Sequence, residues 1–484
     1  MTRRVVLVVM FLVGFFCQAQ AAESPEELFN RAVAAGEAGE LDVAIELFNR
    51  AESLDPENSA IFNNRGVVHA KKKELEMAIQ DFEKSLALDS SNAGAYNNRG
   101  MVLQEQGKLR EAMRDYNKAL QVDPEHILAL YRRASLLLSH GYQKEAFADL
   151  SEILRIDPRQ VKPHIIIGKV YLTEASADKA LKELTSALNK DPKNVEALIG
   201  LGDANFLKGR FKKSVEDYSE ALKFERYPAV LINRCSAYAR LGEWDSALED
   251  CKQGLELDPG NAEGYYNLGN CFAALEKQKE AIEAFSKAVE IDSKRSHFYY
   301  NRGLCLKKID EDPLAIQDFD RVLELEPNNA DALNNRGSLF WTAGDRQKAA
   351  EDFRRAISAQ NQHLQAHKNL AAVFIAEKRT DDAIAVLENA LKFAPKDPDV
   401  LINLGNAWTD REKFDKAVSL YKKALERAAS PDQKARIHLQ TGVALERSGS
   451  PSKALQSYTK ALETVEDQAL KQELNDKINS LKPR

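Results

Sequence analysis

The tetrapeptide NNRG occurs at Asn63–Gly66, at Asn97–Gly100 and at Asn334–Gly337, and the close variant YNRG occurs at Tyr300–Gly303. Asn and Gly are both poor helix formers. The residues around each copy are nevertheless spaced as in an amphipathic helix. A helix that repeatedly contains Asn and Gly must need them for packing or for binding, and the spacing of the copies shows which positions are involved.

A spacing of 34 residues recurs along most of the chain and separates, for example, Pro124 from Pro158. A fixed period of this length predicts a repeat array. With Pro25 as position 1, thirteen units follow, of which the one before Pro228 is a residue short and the one around Ala428–Lys434 is three residues longer. The units start at Pro25, Ser59, Ala93, Ile127, Val161, Val195, Pro228, Ala262, Ser296, Ala330, Leu364, Pro398 and Ala435.

Each unit contains two sets of apolar residues with helical spacing, at positions 4, 8 and 11 and at positions 20, 24 and 27, which predicts two amphipathic helices. Position 8 is Gly, Ala or Cys in every unit, position 20 is Ala in twelve of thirteen, and position 24 is aromatic in nine. Small residues at 8 and 20 let the paired helices approach closely, and the aromatic ring at 24 fills the remaining space.

This pattern resembles the tetratricopeptide repeat, and the resemblance covers residues 25–468. It implies an all-α fold, a right-handed solenoid of about thirteen helix-turn-helix repeats whose first helices line a concave face. Residues 469–484 carry Leu470, Leu474, Ile478 and Leu481 at helical spacing and are expected to form a cap helix and a short tail, because an open end of an array needs a polar cover.

The N-terminus has the order of a secretory signal peptide. Arg3 and Arg4 precede an apolar run, Val5–Cys17, and the small residues Ala19–Ala22 follow it. We therefore expect residues 1–21 to be a signal peptide and 22–24 a short leader. The run is too short for a stable membrane anchor, which needs about 20 residues, although retention as an anchor is the alternative. The expected location is the periplasm, with an extracellular or lumenal site as the alternative.

The charge balance argues against polyanionic partners. Of the 484 residues, 29% are charged and 44% hydrophobic, and the formal net charge is −6. This mild acidity gives no support to a nucleic-acid or anionic-membrane partner. No membrane span is expected after cleavage of the signal peptide.

Asparagine at position 6 is the main candidate for binding. It occupies the concave lining in two tracts, separated by Arg132, Ile166 and Gly200. An amide side chain offers a donor and an acceptor, which matches a peptide backbone. A similar asparagine ladder in the tetratricopeptide superhelix of O-linked N-acetylglucosamine transferase holds extended polypeptide by its main chain. The alternative is a structural role, in which each amide bonds to the neighbouring first helix. The ladder residues are Asn30, Asn64, Asn98, Asn233, Asn267, Asn301, Asn335, Asn369 and Asn403.

Four other groove residues accompany the longer tract: Tyr266, Tyr300, His297 and Trp341. Tyr and Trp combine apolar area with a polar group, which suits adaptable recognition. The four are therefore candidate accessory contacts for a bound segment.

Arginine at position 7 predicts an ion pair inside the repeat. Position 23 of the same unit is Asp in every case except that of Arg31, and the two positions should face each other in an antiparallel helix pair. Where position 7 is Leu268, position 23 is Ala284, which is the paired replacement that a partly buried ion pair tolerates. Leu201 opposite Asp217 is the exception, and a basic stripe for an anionic ligand is the alternative reading. The pairs are Arg65–Asp81, Arg99–Asp115, Arg133–Asp149, Arg234–Asp250, Arg302–Asp318 and Arg336–Asp352.

Cysteine spacing predicts no metal site, since there is no CxxC. Cys235 and Cys251 occupy positions 8 and 24 of one unit and therefore face each other, so an exported protein could join them in a disulfide. Two buried thiols are the alternative. The sequence contains no phosphate loop, dinucleotide fingerprint, HExxH or GxSxG, and we expect neither a cofactor nor enzymatic activity.

These patterns favour a protein-interaction adaptor that binds extended polypeptide in its groove and assists assembly of an exported or envelope complex. A structural or self-assembling scaffold, which would use the edges and the convex face and form homo-oligomers, is the first alternative. The second is a repeat component of polysaccharide export.

Overall fold

The fold is all-α in a computed structural model that describes residues 23–481, where 27 helices and no strand are found. The expected signal peptide, 1–21, lies outside the described residues. The chain divides into two compact units, of which the first ends at Phe224 and the second begins at Glu225. No helix in the described range is both long enough and apolar enough to cross a membrane.

The described part of the first unit consists of six helix pairs. Its helices are α1 Pro25–Ala38, α2 Leu41–Leu54, α3 Ser59–Lys71, α4 Leu75–Leu88, α5 Ala93–Glu105, α6 Leu109–Val122, α7 Ile127–Ser139, α8 Gln143–Ile156, α9 Lys162–Thr173, α10 Ala177–Lys190, α11 Val195–Leu207 and α12 Phe211–Ala221.

The described part of the second unit consists of seven helix pairs and a final single helix. Its helices are α13 Pro228–Leu241, α14 Trp244–Leu257, α15 Ala262–Ala274, α16 Gln278–Ile291, α17 Ser296–Lys308, α18 Asp312–Leu325, α19 Ala330–Thr342, α20 Arg346–Ala359, α21 Leu364–Ala376, α22 Thr380–Leu391, α23 Pro398–Asp410, α24 Phe414–Leu425, α25 Pro431–Arg447, α26 Pro451–Thr464 and α27 Gln468–Leu481.

Each pair is held together by a small residue of the first helix packed against a large side chain of the second. The ring of Phe285 is fully buried and covers Gly269, where an added methyl group would lie 2.6 Å from Cε1 of the ring. Phe353 covers Gly337 in the same way, with a corresponding distance of 2.8 Å. Glycine is therefore needed in these helices for close approach, although it lowers the helix propensity by about 1 kcal/mol relative to alanine.

The turn between the two helices of a pair has the same backbone form throughout. One residue at position 15 has a positive φ in all thirteen pairs, and seven of these residues are glycines. The other six are Lys73, Ala175, Glu276, Asp310, Lys378 and Glu412, with φ between 53° and 64°. Because a left-handed conformation costs a non-glycine residue about 1–2 kcal/mol, the packing of the helix pair must impose it at those six turns.

Both ends of the described chain are covered by polar groups. At the start of α1, the Ser24 hydroxyl accepts from the Glu27 amide and the Glu27 carboxylate accepts from the Ser24 amide, which is a capping box. At the other end, α27 buries Leu470, Leu474 and Ile478 against the last helix pair. Its remaining side chains are mostly polar and face solvent.

The first helices line the inner side of each unit. Neighbouring first helices, such as α13 and α15 or α19 and α21, contact one another directly, whereas the main contacts of each second helix are with first helices. Within a unit the chain therefore curves with its first helices inside. We call the solvent-facing surface of α13, α15, α17, α19, α21 and α23 the inner face of the second unit.

The last pair departs from the regular spacing. Helix α25 begins at Pro431, four residues before the unit start expected at Ala435, and runs for 17 residues. Ser430 caps it by accepting from the Gln433 amide at 3.1 Å, and Pro431 occupies the first turn, where its missing N–H is harmless. The additional residues before Ala435 thus extend the first helix of the last pair.

Candidate functional site

The ladder asparagines of the second unit lie between consecutive first helices. Nδ2 of Asn267 donates to the Ser236 hydroxyl at 2.8 Å. Nδ2 of Asn301 donates to the Tyr266 hydroxyl at 3.0 Å and to Oδ1 of Asn270 at 2.9 Å. In both repeats the acceptors belong to the preceding first helix, so the amide nitrogen links neighbouring repeats.

The next two repeats follow the same scheme. Nδ2 of Asn335 donates to the Tyr300 hydroxyl at 3.2 Å, and Nδ2 of Asn369 donates to Oδ1 of Asn334 at 2.9 Å. The acceptors in the preceding units stand at positions 5 and 9, and Nδ2 of Asn335 also donates to the Asp331 carbonyl of its own helix at 3.0 Å. The amide therefore has a structural use, which was the alternative reading of the ladder.

Two of these four amides are only half used, whereas Oδ1 of Asn335 accepts from Lys307 at 3.3 Å and Oδ1 of Asn369 accepts from Gln365 at 2.8 Å. In the described part of the chain, no residue donates a hydrogen bond to Oδ1 of Asn267 or of Asn301. Both side chains are half-buried on the inner face. An amide oxygen has two lone pairs, so these two residues present acceptors that a backbone N–H of a bound segment could meet. Asn233 and Asn403 occupy the same register on α13 and α23 and are also half-buried.

In the first unit the ladder is shorter and less regular. Nδ2 of Asn98 donates to Oδ1 of Asn63 at 3.1 Å, as in the second unit. Nδ2 of Asn64 instead donates to the Ala60 carbonyl of its own helix at 2.9 Å, and Asn30 is exposed. The regular tract is therefore the one in the second unit.

The four accessory residues have three different surroundings. Tyr266, His297 and Phe298 form an aromatic cluster in which the rings of Tyr266 and His297 meet edge to face at 4.8 Å. Tyr300 is bonded to the ladder through Asn335, and burial raises the pKa of its phenol. Trp341 is half-buried and packs on the apolar core of α20–α23. All four lie on first helices of the second unit.

The arginines at position 7 lie against the aspartates at position 23. Nε and Nη2 of Arg302 donate to the two carboxylate oxygens of Asp318 at 2.8 Å and 2.6 Å. Asp318 is buried, and its hydrogen bond raises the pKa of Arg302. The same two-bond geometry holds in the other five pairs, Arg65–Asp81, Arg99–Asp115, Arg133–Asp149, Arg234–Asp250 and Arg336–Asp352.

These arginines also link neighbouring repeats, which was not expected from the sequence. Nη1 of Arg302 donates to the Ser286 hydroxyl at 3.0 Å, and Nη1 of Arg336 donates to Oδ1 of Asp320 at 2.6 Å. Both acceptors stand at position 25 of the preceding unit. The sequence contained a sign of this link. Where Leu370 replaces the arginine at position 7, position 25 of the preceding unit is Arg354, which cannot accept a hydrogen bond.

Asp217, which faces Leu201 instead of an arginine, has another partner. Nδ2 of Asn205 donates to its Oδ2 at 2.7 Å. Asn205 is buried and is the only asparagine at position 11 in the thirteen units. Since the partner is neutral, burial raises the pKa of Asp217.

Cys235 and Cys251 form a disulfide with their Cα atoms 5.5 Å apart. The bond occupies the place that glycine and an aromatic ring fill in other repeats. Cys271 packs in the same apolar cluster as a free buried thiol, and burial raises its pKa to about 11. Between residues 23 and 481, no group of three or more His, Cys, Asp or Glu side chains is arranged to hold a metal ion.

Stacked pairs of helices with a fixed period define the chain as a helical solenoid repeat protein. Tetratricopeptide repeat models match residues 29–93, 93–126, 167–229, 262–295, 296–329, 313–363, 340–402 and 374–441, and a TPR repeat model matches 236–275. The chain therefore belongs to the tetratricopeptide repeat family, whose members are generally protein-interaction adaptors.

Several solved structures share local similarity with the chain. MamA is 25% identical, with 33% of this chain and 95% of MamA covered, at a TM-score of 0.32. The Cut9–Hcn1 structure of the APC/C is 14% identical, with 97% of this chain and 98% of that chain covered, at a TM-score of 0.41. Yeast Tom70 is 18% identical, with 87% of this chain and 95% of Tom70 covered, at a TM-score of 0.37. No curated protein matches the sequence.

Proposed function

We propose that the protein is a non-enzymatic adaptor that holds extended segments of partner proteins against the inner face of the second unit, along Asn233–Asn403. The observation that carries this proposal is the open amide oxygen of Asn267 and of Asn301, repeated at the same register of successive first helices. Two such acceptors in successive repeats suit an extended chain, whose N–H groups recur along its length.

The linkage between repeats improves the site for this purpose. Because the Nδ2 group of Asn301 is held by Tyr266 and Asn270, its Oδ1 points in one direction before any ligand arrives. A side chain that is already ordered loses little conformational entropy on binding, so each hydrogen bond contributes more to affinity. The structural use of the ladder and its binding role are therefore compatible.

We propose further that the protein acts after export, in the periplasm, where it assists assembly of an exported or envelope complex. The proposal rests on the order of charged, apolar and small residues in 1–21 and on the Cys235–Cys251 disulfide, since such bonds persist in oxidising compartments.

A self-assembling scaffold has less support. End-to-end stacking of copies needs an apolar surface at each end of the array, as neighbouring repeats have. The final helix α27 turns its apolar side inward, toward Tyr458 and Ala461, and presents mostly polar residues outward. Such a helix acts as a cap that makes the array soluble.

The test is capture of partners from an envelope extract by the parent protein and by the triple variant Asn267→Ala, Asn301→Ala, Asn335→Ala. A second triple variant, Asn189→Ala, Asn328→Ala, Asn479→Ala, removes three exposed asparagines away from the inner face and controls for loss of amides. Circular dichroism verifies that all three proteins are equally helical.

We expect the parent and the control to capture the same partner and the inner-face variant to lose it. The bound region is then located with overlapping synthetic peptides of the captured protein, titrated against parent and variant. Capture that is equal in all three proteins would contradict the proposal and direct attention to the second helices.

A further inference from the structure

The outer side of the first unit carries a cleft between the second helices α6 and α8, with the first helix α7 beneath it. The cleft has a volume of about 1350 Å³, and Met113, Leu136 and Leu137 form its apolar floor. A second cavity of about 430 Å³ continues it toward the C-terminal ends of the same two helices. Ala148 lines both cavities, so the opening runs along most of α6 and α8.

A small residue on α8 explains why the cleft is open. Position 22 carries a long polar side chain in ten of the thirteen units, for example Gln80, but it is alanine at Ala148 and Ala385. Ala385 also lines a cavity, of about 420 Å³, between its own second helix and the preceding one. A missing side chain at this register therefore leaves space between consecutive second helices.

An ion pair that links consecutive repeats elsewhere is also missing beside the cleft. At the first joint, Nζ of Lys72 at position 14 donates to Oδ1 of Asp42, at position 18 of the preceding unit, at 2.7 Å. Between the third and fourth units these two positions hold His140 and Arg110, which are both basic. Nδ1 of His140 instead donates to the Leu136 carbonyl of its own helix at 2.9 Å. No ion pair therefore joins positions 14 and 18 at this joint.

The α6 wall of the cleft has an excess of positive charge. Arg110 and Arg114 are exposed, one helical turn apart, and both line the cleft. Within the described chain neither of them forms an ion pair. Together with Lys108 they outnumber Glu111, the one carboxylate that lines this side.

The α8 wall has the opposite charge. In the larger cavity its two carboxylates are those of Glu145 and Asp149. Asp149 accepts from Nε and Nη2 of Arg133 at 2.8 Å and 2.6 Å, so its charge is already balanced. Glu145 is exposed and, in the described part of the chain, forms no ion pair. The apolar floor thus lies between a basic wall and an acidic one.

Walls of this kind accept a helix better than an extended chain. Helices α6 and α8 use their backbone N–H and C=O groups internally, so they offer few to the main chain of a bound strand. An α-helix satisfies its own backbone and presents a stripe of side chains to a groove. The volume of the cleft also exceeds the range of about 300–1,000 Å³ that is typical of small-molecule sites.

We propose that the cleft between α6 and α8 is a docking site for an amphipathic α-helix of a partner protein. The apolar stripe of that helix packs on Leu136 and Leu137. One flank carries Asp or Glu toward Arg110 and Arg114, and the other carries Lys or Arg toward Glu145. Such rim charges select the partner and its orientation more than they add affinity. The site is independent of the proposed function, which concerns the inner face of the second unit.

A phage-displayed library of single helices tests the site with the full chain. Each eighteen-residue helix has a stripe randomised among apolar residues and two flanks randomised among Glu, Gln and Lys. After selection on the immobilised parent protein, enriched helices are synthesised with a fluorescein label and titrated by fluorescence polarisation. Circular dichroism verifies that every variant is as helical as the parent.

The space in the cleft is tested by filling it. Ala148→Gln introduces the kind of side chain that most units carry at position 22, and the selected helices should bind this variant about tenfold more weakly than the parent, because they no longer reach the floor. Ser419→Gln makes the same addition at an exposed position 22 of another repeat and should leave their binding unchanged.

The charge of the walls is tested by reversing one of them. Helices selected on the parent should carry Glu on one flank and Lys on the other, in either order, since turning a helix end for end exchanges its flanks. Selection on Arg110→Glu with Arg114→Glu should give Lys on both flanks, because both walls are then acidic. Lys118→Glu with Lys144→Glu makes the same change of charge at exposed residues outside the cleft and should select the same helices as the parent.

Three results would overturn the site: no enriched helix, enriched helices without a charge rule on their flanks, or equal affinity for the parent and Ala148→Gln. The inner-face variant Asn267→Ala, Asn301→Ala, Asn335→Ala separates the two binding surfaces. We expect it to bind the selected helices as the parent does. Loss of their binding in this variant would assign them to the inner face and would also overturn the docking site.

Discussion

In eight of the thirteen helix pairs a glycine packs against an aromatic ring, and adding a single methyl group tests this contact. In Gly269→Ala the new Cβ would lie 2.6 Å, 2.7 Å and 2.9 Å from three carbons of the Phe285 ring. Carbon atoms in contact are normally about 3.5–4.0 Å apart, so the ring or the helix must move by about 1 Å. In Gly303→Ala the nearest carbon of Phe319 is 3.2 Å away, and only a few tenths of an ångström are needed.

The two substitutions should therefore change the stability of their helix pairs in opposite directions. Overpacking of a core typically costs about 1–3 kcal/mol, while replacing glycine by alanine within a helix stabilises it by about 1 kcal/mol. For Gly269→Ala the clash outweighs the propensity gain, and we expect a net loss of about 1 kcal/mol. For Gly303→Ala the gain is dominant, and we expect a change between zero and about 1 kcal/mol of stabilisation.

The assay is hydrogen exchange of the backbone amides in the affected helix pair, because an array can open locally and a single global unfolding energy is then not defined. Adding Phe285→Leu to Gly269→Ala reproduces the combination found naturally at Ala371 and Leu387, and should restore protection. Equal protection factors in Gly269→Ala and Gly303→Ala, or no recovery in the double variant, would refute the argument from close packing.

Three further changes probe other contacts. Asp318→Ala should destabilise its repeat by about 3 kcal/mol, measured by the hydrogen exchange of its amides, because it leaves Arg302 half-buried without an ion-pair partner, and adding Arg302→Leu should recover most of the loss. Cys251→Ala should lower stability by about 3 kcal/mol, as expected for a disulfide that closes a loop of this size, whereas Cys235→Gly with Cys251→Phe rebuilds the usual packing pair and should lose less. Burial lowers the pKa of His367, whose Nε2 has no partner in the described chain, so the unfolded state binds more protons below about pH 6.5. Stability should then fall as the pH drops below that value. In His367→Leu the urea midpoint should change less between pH 7.5 and pH 5.5 than it does in the parent. An equal change in the variant and the parent would contradict this assignment.

The helix pairs could be predicted from the sequence because their determinants are local and recur. Position 8 is small and position 24 is large in most units, and each such pair is separated by the same 16 residues, so the contact is visible as a pattern. The left-handed turn at position 15 was less visible. Glycine marks it in seven units. At residues such as Lys73 and Glu276 the helix packing imposes the conformation, and the residue type alone does not predict it.

What the sequence by itself determined is the repeat: the fold class, the period, the facing positions 7 and 23, and the asparagines at one register of the first helix. Tertiary structure alone decided what those asparagines contact. Asn301 meets Tyr266, 35 residues away, because neighbouring first helices pack side by side. It also decided that Lys307 donates to Asn335 of the next repeat. Contacts between repeats depend on the rotation from one repeat to the next, which is the sum of many small packing adjustments and is not encoded at any single position.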